Sequence, residues 1–287
     1  GKSLAALITN TGELFDYLEV VGQGQALSQQ PVPCIAAPTT AGTGSEATAN
    51  AVLLATEQGV KVSMRHVSML PDLAVVDPVL AMGMPRDVTA STGLDALTQL
   101  LEAHVSHKAN AMTSALCRDG LARAARSLKT ACEDGGDMAA REDMALAALF
   151  SGLALANAKL GAVHGFAAPI GGRFKAPHGA VCAALLPEVM EANIKALREQ
   201  TPEHQSLSAY WEVARILTGD AGARVEDGVA WVRSLCKDLD IPGLAAFGVT
   251  SEDFPKLVNK ASLASSMAGN PIQLSREEML GILQGAL

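Results

Sequence analysis

The part of the sequence that most limits the fold runs from Pro85 to the C-terminus. Apolar residues recur there at helical spacing, and no convincing strand pattern occurs. Alanine and leucine supply most of an apolar content of 49%, and both residues favour helix over strand. Ser275 and Glu278 have the spacing of a capping box, which opens a C-terminal helix. Further helices are predicted at Val88–His104, Asn110–Thr130, Ala139–Lys159, Pro187–Ala196, Ser206–Leu217 and Val225–Leu239.

The sequence before Pro85 mixes short helices with short strands. Ser3–Thr9 and Glu13–Val21 are predicted to be helical. Strands are predicted at Val32–Ala37 and Leu73–Val76, and a hairpin at Ala51–Thr56 and Val60–Met64. We therefore predict α/β plus all-α: an α/β domain over residues 1–82 and an all-helical domain over residues 83–287. Because one hairpin and two further strands make a poor sheet for so many helices, we expect the chain to be a fragment or a processed product.

Charge and cysteine content exclude several classes of protein. The net charge is −8 and no cluster of Lys or Arg occurs, which argues against nucleic acid and anionic membranes as partners. No uninterrupted run of about 18 apolar residues and no signal peptide is found, so no membrane span is expected. The five cysteines are widely spaced without a C-x-x-C pair, which favours a reducing cytoplasm and buried apolar roles for each.

The glycine-rich stretch Gly161–Gly179 carries two histidines, His164 and His178, each followed directly by glycine. Together with Asp95 on an upstream helix, they make a sufficient ligand set for a divalent metal with an open position for substrate. Pro169, Pro177 and two further glycines separate the histidines, so they cannot share one continuous helix. We expect them to converge from a helix end and the start of the following helix.

The helical neighbour of Asp95 is Gln99, four residues later on the same face. A neutral amide oxygen is a weak ligand, so we expect Gln99 to be a weak fourth ligand or a hydrogen-bond partner of metal-bound water. His104 cannot replace it, because nine residues at about 100° each place it on the opposite face from Asp95.

A second motif, Pro38–Glu46, reads P-T-T-A-G-T-G-S-E and follows a predicted strand. Its hydroxyl groups and backbone N–H groups suit contact with phosphate or ribose, although it is neither a Walker loop nor G-x-G-x-x-G. An ordinary turn stays open as the alternative. Ser45 and Cys182 are not expected to act as nucleophiles, because their spacing suggests no arrangement with His and Asp.

These motifs, in this order, resemble the iron-containing (group III) alcohol dehydrogenase family over nearly the whole chain. The segments that carry the resemblance are P-T-T-A-G-T-G-S-E, L-P-D-L-A-V-V-D-P, T-G-L-D-A-L-T, E-A-H-V-S-H-K-A-N, A-N-A-K-L-G-A-V-H-G, A-P-H-G and, near the C-terminus, Asn270–Pro271. The resemblance implies a Rossmann-like N-terminal domain, partial in this chain, and a C-terminal helical domain. Metal and substrate would lie in the cleft between them.

The resemblance also implies roles for individual residues. Metal ligands fall on Asp95, His164 and His178, which would act in catalysis through the metal. The cofactor, NAD or NADP, would contact Thr39, Thr40, Thr43, Ser45, Lys61 and Leu80. The expected substrate is a small alcohol or aldehyde, and the expected assembly is a cytoplasmic homodimer.

Three departures from the family pattern stand out. Family members begin roughly a hundred residues earlier than this chain. A segment of that length has the usual size of a dinucleotide-binding half, and it would hold the G-G-G-S loop that binds the pyrophosphate. The usual second histidine ligand is Gln99, and the histidine usual four residues after His164 is Ala168. Glycerol-dehydrogenase-like relatives bind zinc with one Asp and two His. One divalent ion, Fe²⁺ or Zn²⁺, is therefore expected on Asp95, His164 and His178.

The function predicted from these features is reversible hydride transfer between NAD(P)H and a small carbonyl substrate, assisted by the metal. Ala168 removes a usual proton relay, so the proton would travel through water or the cofactor ribose. Two alternatives stay open. One is a metal-independent, maleylacetate-reductase-like enzyme, although such relatives usually lack the residue equivalent to Asp95. The other is a catalytically impaired paralogue or fragment.

Overall fold

The computed structural model describes residues Gly1–Leu287 and divides into a small α/β part and a large helical part. In the α/β part, β1 and β4 pair in parallel and β2 and β3 form the predicted antiparallel hairpin. The elements of this part are α1 (Lys2–Thr9), α2 (Leu14–Tyr17), β1 (Ile35–Ala36), β2 (Asn50–Ala55), β3 (Val60–Arg65) and β4 (Leu73–Ala74).

Three predicted elements in this part are shorter than expected, and one of them, the strand predicted at Leu73–Val76, covers only β4. The strand predicted at Val32–Ala37 covers only β1, because Pro31 and Pro33 have no backbone N–H to give to a ladder. The helix predicted at Glu13–Val21 ends after one turn, since Leu18 forms a bridge with Met64 of β3 and Val20 adopts a positive φ of 67°.

The helical part contains nine α-helices, two more than the seven predicted, and, as predicted, no strand. The capping box is confirmed, because the Glu278 N–H donates to Ser275 Oγ and the Ser275 N–H donates to Glu278. The elements are α3 (Arg86–Val105), α4 (Ala111–Glu133), α5 (Met138–Ala158), α6 (Ala162–Arg173), α7 (His178–Gln200), α8 (Gln205–Thr218), α9 (Val225–Asp238), α10 (Phe254–Ser262) and α11 (Arg276–Gly285).

Helix α7 corrects the prediction at Pro187–Ala196, because it begins nine residues earlier, at His178, and carries Pro187 in its interior. An interior proline costs about 3 kcal/mol through its lost hydrogen bond and its clash with the preceding turn. Burial offsets this cost, since Leu185, Leu186 and Val189 around the proline are at most 2% exposed. Tertiary packing therefore overrides a local helix-breaking signal.

Helix α3 is the centre of the helical part and prepares the site. Fifteen of its 20 residues are buried, because α4, α5 and α7 surround it. A helix buried on all sides has no solvent face for polar side chains, so each polar residue needs a partner inside the protein. Asp95, Gln99 and Glu102 are such residues, and each is at most 4% exposed.

The α/β part contacts the helical part through glycines of the loop that contains the second motif. A Cβ on Gly44, whose φ is +57°, would overlap the backbone of Gly152 on α5, and a Cβ on Gly42 would overlap Thr92 on α3. The loop can lie this close only because neither residue has a side chain.

The domain boundary at residues 82/83 stays a prediction. No single helix is both long enough and apolar enough to span a membrane. Helices α5 and α6 reach that length and apolarity only when taken together, and the chain bends by 103° between them.

Candidate metal centre

The structure brings Asp95, His164 and His178 together from three helices, α3, α6 and α7. Asp95 Oδ1 lies 3.3 Å from Nε2 of His164 and 3.7 Å from Nε2 of His178, and the two ring centroids are 5.4 Å apart. As predicted, the histidines do not share a helix, because α6 ends at Arg173. The expectation of a helix end for His164 was wrong, since it lies in the first turn of α6.

Close packing between α7 and α3 explains how His178 reaches Asp95. A Cβ on Gly179 would overlap the carbonyl oxygen of Ser91, so glycine is required where the first turn of α7 crosses α3. Ser91 lies one helical turn before Asp95, and His178 directly precedes Gly179. The His-Gly step predicted to allow close approach therefore acts through helix packing.

Glu102, which the sequence analysis missed, fixes the orientation of His164. One oxygen, Oε2, lies 2.6 Å from His164 Nδ1, and Oε1 accepts a 2.7 Å hydrogen bond from the Val163 N–H at the start of α6. A proton on Nδ1 leaves the lone pair of Nε2 directed at the cluster, the arrangement found in metal-binding histidines. The sequence could have indicated this role of Glu102, because residues 95, 99 and 102 share one face of a helix.

Gln99 holds the other oxygen of Asp95. Its Nε2 donates to Asp95 Oδ2 at 3.0 Å, and its Oε1 accepts from Ser151 Oγ at 2.7 Å. A carboxylate only accepts hydrogen bonds, so the amide nitrogen must be the end that faces Asp95. Both ends of the amide thus have protein partners. Gln99 therefore holds the Asp95 carboxylate in position, whereas the sequence led us to expect a weak metal ligand or a partner of metal-bound water.

Asp95 Oδ1 has no hydrogen-bond partner, although it is buried. A neutral His164 whose Nδ1 proton faces Glu102 presents the lone pair of Nε2 to this oxygen, and only its protonated form could donate to it. Burial acts to raise the pKa of Asp95, but His164, His178 and Gln99 more than offset it, and the pKa lies below its usual value. A buried, ionised and unpartnered oxygen is costly, and a cation between these side chains would satisfy it.

Cys182 is the fourth member of the cluster. Ligand atoms of Asp95, His164, His178 and Cys182 all lie within 4.8 Å of one another. The Sγ atom is 3.7 Å from His178 Nε2 and 3.9 Å from His164 Nε2. Cys182 is buried, as expected, but its spacing was not expected to bring it together with His and Asp, and the structure does bring them together. His178 and Cys182 are four residues apart on one helix, the spacing that could have revealed the pair.

Electrostatics at Cys182 make its sulfur easier to ionise than an ordinary thiol. Burial acts to raise the pKa of the thiol, but the imidazoles of His178 and His164 more than offset this and bring it below its ordinary value. Cys117, which is equally buried on α4 but has no imidazole beside it, behaves in the opposite way. Burial raises its pKa to about 12. The difference between two buried cysteines therefore comes from their neighbours.

Four of the six predicted cofactor residues lie on the loop that contacts α3 and α5. Thr39, Thr43 and Ser45 are exposed on this loop and Thr40 is half-buried. The loop carbonyl of Gly42 lies 3.5 Å from Ser151 Oγ, the same hydroxyl that contacts Gln99. Lys61 lies half-buried on β3 with its ammonium group next to Gly171 of α6, and Leu80 is exposed in a short helical turn at Pro78–Ala81. Their contacts with a cofactor stay predictions.

The remaining histidines lie outside the cluster, as the sequence analysis expected. His104, which helix phase excluded as a ligand, instead places its Nε2 3.0 Å from Glu212 of α8. Ala168 lies one turn after His164 on α6 and is half-buried, so the position next to the cluster has no titratable side chain.

Comparison with known proteins supplies the family. Residues 89–287 match the C-terminal domain of the Fe-containing alcohol dehydrogenase family, and residues 1–78 match iron-containing alcohol dehydrogenase. The chain belongs to the iron-containing alcohol dehydrogenase family. The resemblance inferred from the motifs is thereby confirmed, as is the assignment to a class of NAD(P)-linked, metal-dependent oxidoreductases.

Individual relatives of this chain agree with the family assignment. 1,3-Propanediol dehydrogenase of Klebsiella pneumoniae is 35% identical over 100% of this chain and 72% of its own length. Alcohol dehydrogenase 4 of Saccharomyces cerevisiae is 36% identical over 99% of this chain and 72% of its own length.

Solved structures confirm the predicted fold class. A crystal structure of 1,3-propanediol oxidoreductase superposes with a TM-score of 0.89 at 34% identity, over 100% of this chain and 73% of that one. Sulfoacetaldehyde reductase from Bifidobacterium kashiwanohense, in complex with NAD⁺, superposes with a TM-score of 0.85 at 26% identity, over 99% and 72% of the two chains.

Proposed function

We propose that this chain carries the metal and substrate site of an NAD(P)-linked dehydrogenase that interconverts a small alcohol and its aldehyde or ketone. The observation that carries the proposal is the buried Asp95 Oδ1, which has no hydrogen-bond partner and faces the Nε2 atoms of His164 and His178. One carboxylate and two imidazoles form a site suited to Fe²⁺ or Zn²⁺. The names of the relatives support a short alcohol as substrate.

The protein residues around this site would hold it in place before substrate binds. Glu102 keeps the Nε2 lone pair of His164 directed inward, and Gln99 fixes one oxygen of Asp95 so that the other stays available. A bound divalent ion would supply a Lewis acid for the substrate oxygen, and the nicotinamide would supply or accept the hydride. The negative charge of Asp95 offsets part of the charge of the ion.

Access to the site is on the side of His178. The side chain of His178 is 37% exposed, whereas the side chains of Asp95 and His164 are at most 8% exposed. Substrate would therefore approach along the start of α7. Ala168 provides no proton-transfer group, so the proton would travel through water or the cofactor ribose.

The cofactor is proposed to bind next to the loop between β1 and β2, where Thr39, Thr40, Thr43 and Ser45 offer hydroxyl groups, with Lys61 and Leu80 as further proposed contacts. The contacts of this loop with α3 and α5 support the proposal, because they keep the loop within one helical turn of Asp95. The choice between NAD and NADP, the homodimer and the cytoplasmic location expected from the sequence stay predictions.

Metal analysis of the full chain purified without chelator tests this function. We expect a stoichiometric divalent ion and NADH formation from NAD⁺ and 1,3-propanediol that chelation abolishes. His178→Ala should remove the metal, whereas the control His66→Ala, at a half-buried histidine outside the cluster, should retain it. A chain that holds no divalent ion, and gains none from added zinc or iron, would overturn the proposal.

A metal-independent reductase is not favoured. Such an enzyme would have no use for a buried carboxylate with an unpartnered oxygen, and Asp95 is held in this state by Gln99. Replacing Asp95 with Asn would separate the two possibilities. Activity that survives this change at the wild-type rate would support the metal-independent reaction, and activity lost together with the metal would support the proposal.

A further inference from the structure

Cys182 occupies a position that the metal site described so far does not use. We propose that its sulfur is the fourth protein ligand, so that the ion is held by one carboxylate, two imidazoles and one thiolate. This inference rests on the proposed metal-dependent function and deepens it. It concerns which atoms bind the ion and which ion they prefer.

The distances between the donor atoms carry the argument. A tetrahedral ion with bonds of about 2.0–2.3 Å has its ligand atoms roughly 3.3–3.8 Å apart. Asp95 Oδ1 is 3.3 and 3.7 Å from the two histidine Nε2 atoms, and Cys182 Sγ is 3.7 and 3.9 Å from the same two atoms. Three of these four distances fall in that range and the fourth is slightly longer, and all four donor atoms lie within 4.8 Å of one another. The sulfur is therefore within a small adjustment of the position of a fourth ligand.

The surroundings of Cys182 distinguish it from a cysteine that only fills space. Its side chain is fully buried, as is that of Cys117 on α4. Cys182 contacts two imidazole nitrogens, whereas Cys236, on α9, contacts only a backbone carbonyl, at 3.5 Å. A buried cysteine whose sulfur faces two metal-binding histidines offers a donor to the same ion.

Gln99 strengthens the argument because it does not compete for this position. Its amide nitrogen faces Asp95, so the amide oxygen, the only atom of this side chain that could bind a metal, points to Ser151 instead. Cys182 lies on α7, one helical turn after His178. The ligand pair on α7 is therefore His178 and Cys182, at i and i+4.

A thiolate ligand has a consequence for the choice of metal. Soft sulfur ligands favour zinc over harder ions, and zinc also exceeds ferrous iron in intrinsic affinity for mixed nitrogen and oxygen sites. We therefore expect this chain to prefer Zn²⁺, although its family is called iron-containing. Substrate would add as a fifth ligand, an expansion that catalytic zinc tolerates, from the exposed side of His178.

Cobalt substitution of the full chain tests the ligand directly, without any need for activity. The cobalt-loaded wild type should show a thiolate-to-cobalt charge-transfer band in the near ultraviolet. Cys182→Ser should lose this band and keep the weaker visible bands of cobalt bound by the remaining ligands. Its zinc affinity should fall at least as much as when a residue that only supports a metal ligand is lost, a change that costs roughly 10- to 100-fold. The control Cys117→Ala removes an equally buried thiol and should keep the band.

X-ray absorption of the zinc-loaded wild type keeps the test valid if the serine variant fails to fold. A sulfur scatterer at about 2.3 Å is expected. Oxygen and nitrogen scatterers alone would overturn the role of Cys182, as would an unchanged charge-transfer band in Cys182→Ser, and either result would leave the Asp95 and His site standing. A wild type that binds neither cobalt nor zinc would overturn the metal site itself.

Discussion

The helical and α/β parts of this chain differ in how they achieve order. Fifty-six buried apolar residues form one continuous core, almost all of it in the helical part, whereas the separate core of the α/β part contains seven. Thirteen of the 16 large apolar side chains that are exposed lie before Pro85. The helical part therefore stabilises itself by burial, and the α/β part depends more on its contacts with the helices.

The same difference separates the two halves of the candidate site. The proposed metal ligands Asp95 and His164 are buried on helices and held by Gln99 and Glu102. The proposed cofactor residues Thr39 and Thr43 are exposed on a loop that is fixed mainly by glycine contacts. The proposed chemistry thus lies on buried helices, and the proposed cofactor contacts lie on an exposed loop.

Hydrogen exchange of the whole chain gives the largest expected contrast between the two parts. Amides of α3 and α7 should open only with global unfolding, whereas those of β1 and β4 should open locally, because each of these strands has two residues. We expect a difference of roughly 3 kcal/mol or more in opening free energy, or about 100-fold in exchange rate. Equal protection of the two parts, measured by mass spectrometry, would show that the chain unfolds as a single unit.

The contact between the two parts can be disrupted by a single methyl group. Gly152→Ala would place a Cβ against the carbonyl of Gly44, so the loop must move away from α5. We expect a loss of about 1–3 kcal/mol in thermal or chemical unfolding, together with weaker NADH binding. The control Gly281→Ala lies on α11 with no neighbouring atom, and it should stabilise the protein slightly. NADH binding that is unaffected by Gly152→Ala would place the cofactor elsewhere.

The sequence predicted the helical part well and the α/β part less well, for a physical reason. Helices α3, α4 and α5 follow a local period that needs no knowledge of tertiary contacts. Strand β1 is bounded by prolines and paired with a strand nearly forty residues away, so its length depends on the partner. Helix α7 exceeded its prediction because burial of its apolar residues outweighs the proline inside it.

Prediction of the site failed for the residues whose role depends on how helices pack. Asp95, His164 and His178 were identified because their residue types and glycine neighbours are unusual in themselves, and their role as ligands stays a proposal. Glu102 and Cys182 look like an ordinary polar residue and an ordinary buried residue. Their partners become visible only when α6 and α7 pack on α3.

The substitution Glu102→Gln changes the residue that orients His164 but leaves every proposed metal ligand in place. Gln keeps the shape and the Val163 contact, but a neutral amide no longer fixes the Nδ1 proton of His164. Loss of such a partner typically costs 10- to 100-fold in metal affinity. The matched control Glu212→Gln removes the carboxylate beside His104, outside the site, and should leave the zinc affinity unchanged. Equal zinc affinity of Glu102→Gln and wild type, in competition with a chelator, would contradict the orienting role.

The smallest expected effect is a pH dependence of stability that originates in the helical part. Burial lowers the pKa of His104 from its ordinary value near 6.5, a shift that Glu212 opposes and Arg118 reinforces. The folded state therefore favours neutral His104, so its contribution is complete above pH 6.5 and decreases as the pH falls toward the folded pKa. His104→Gln should flatten this dependence, and Glu212→Gln should steepen it because the opposing carboxylate is lost. Chemical unfolding between pH 5 and pH 8 measures both slopes, and two variants with the same slope would contradict the assignment to His104.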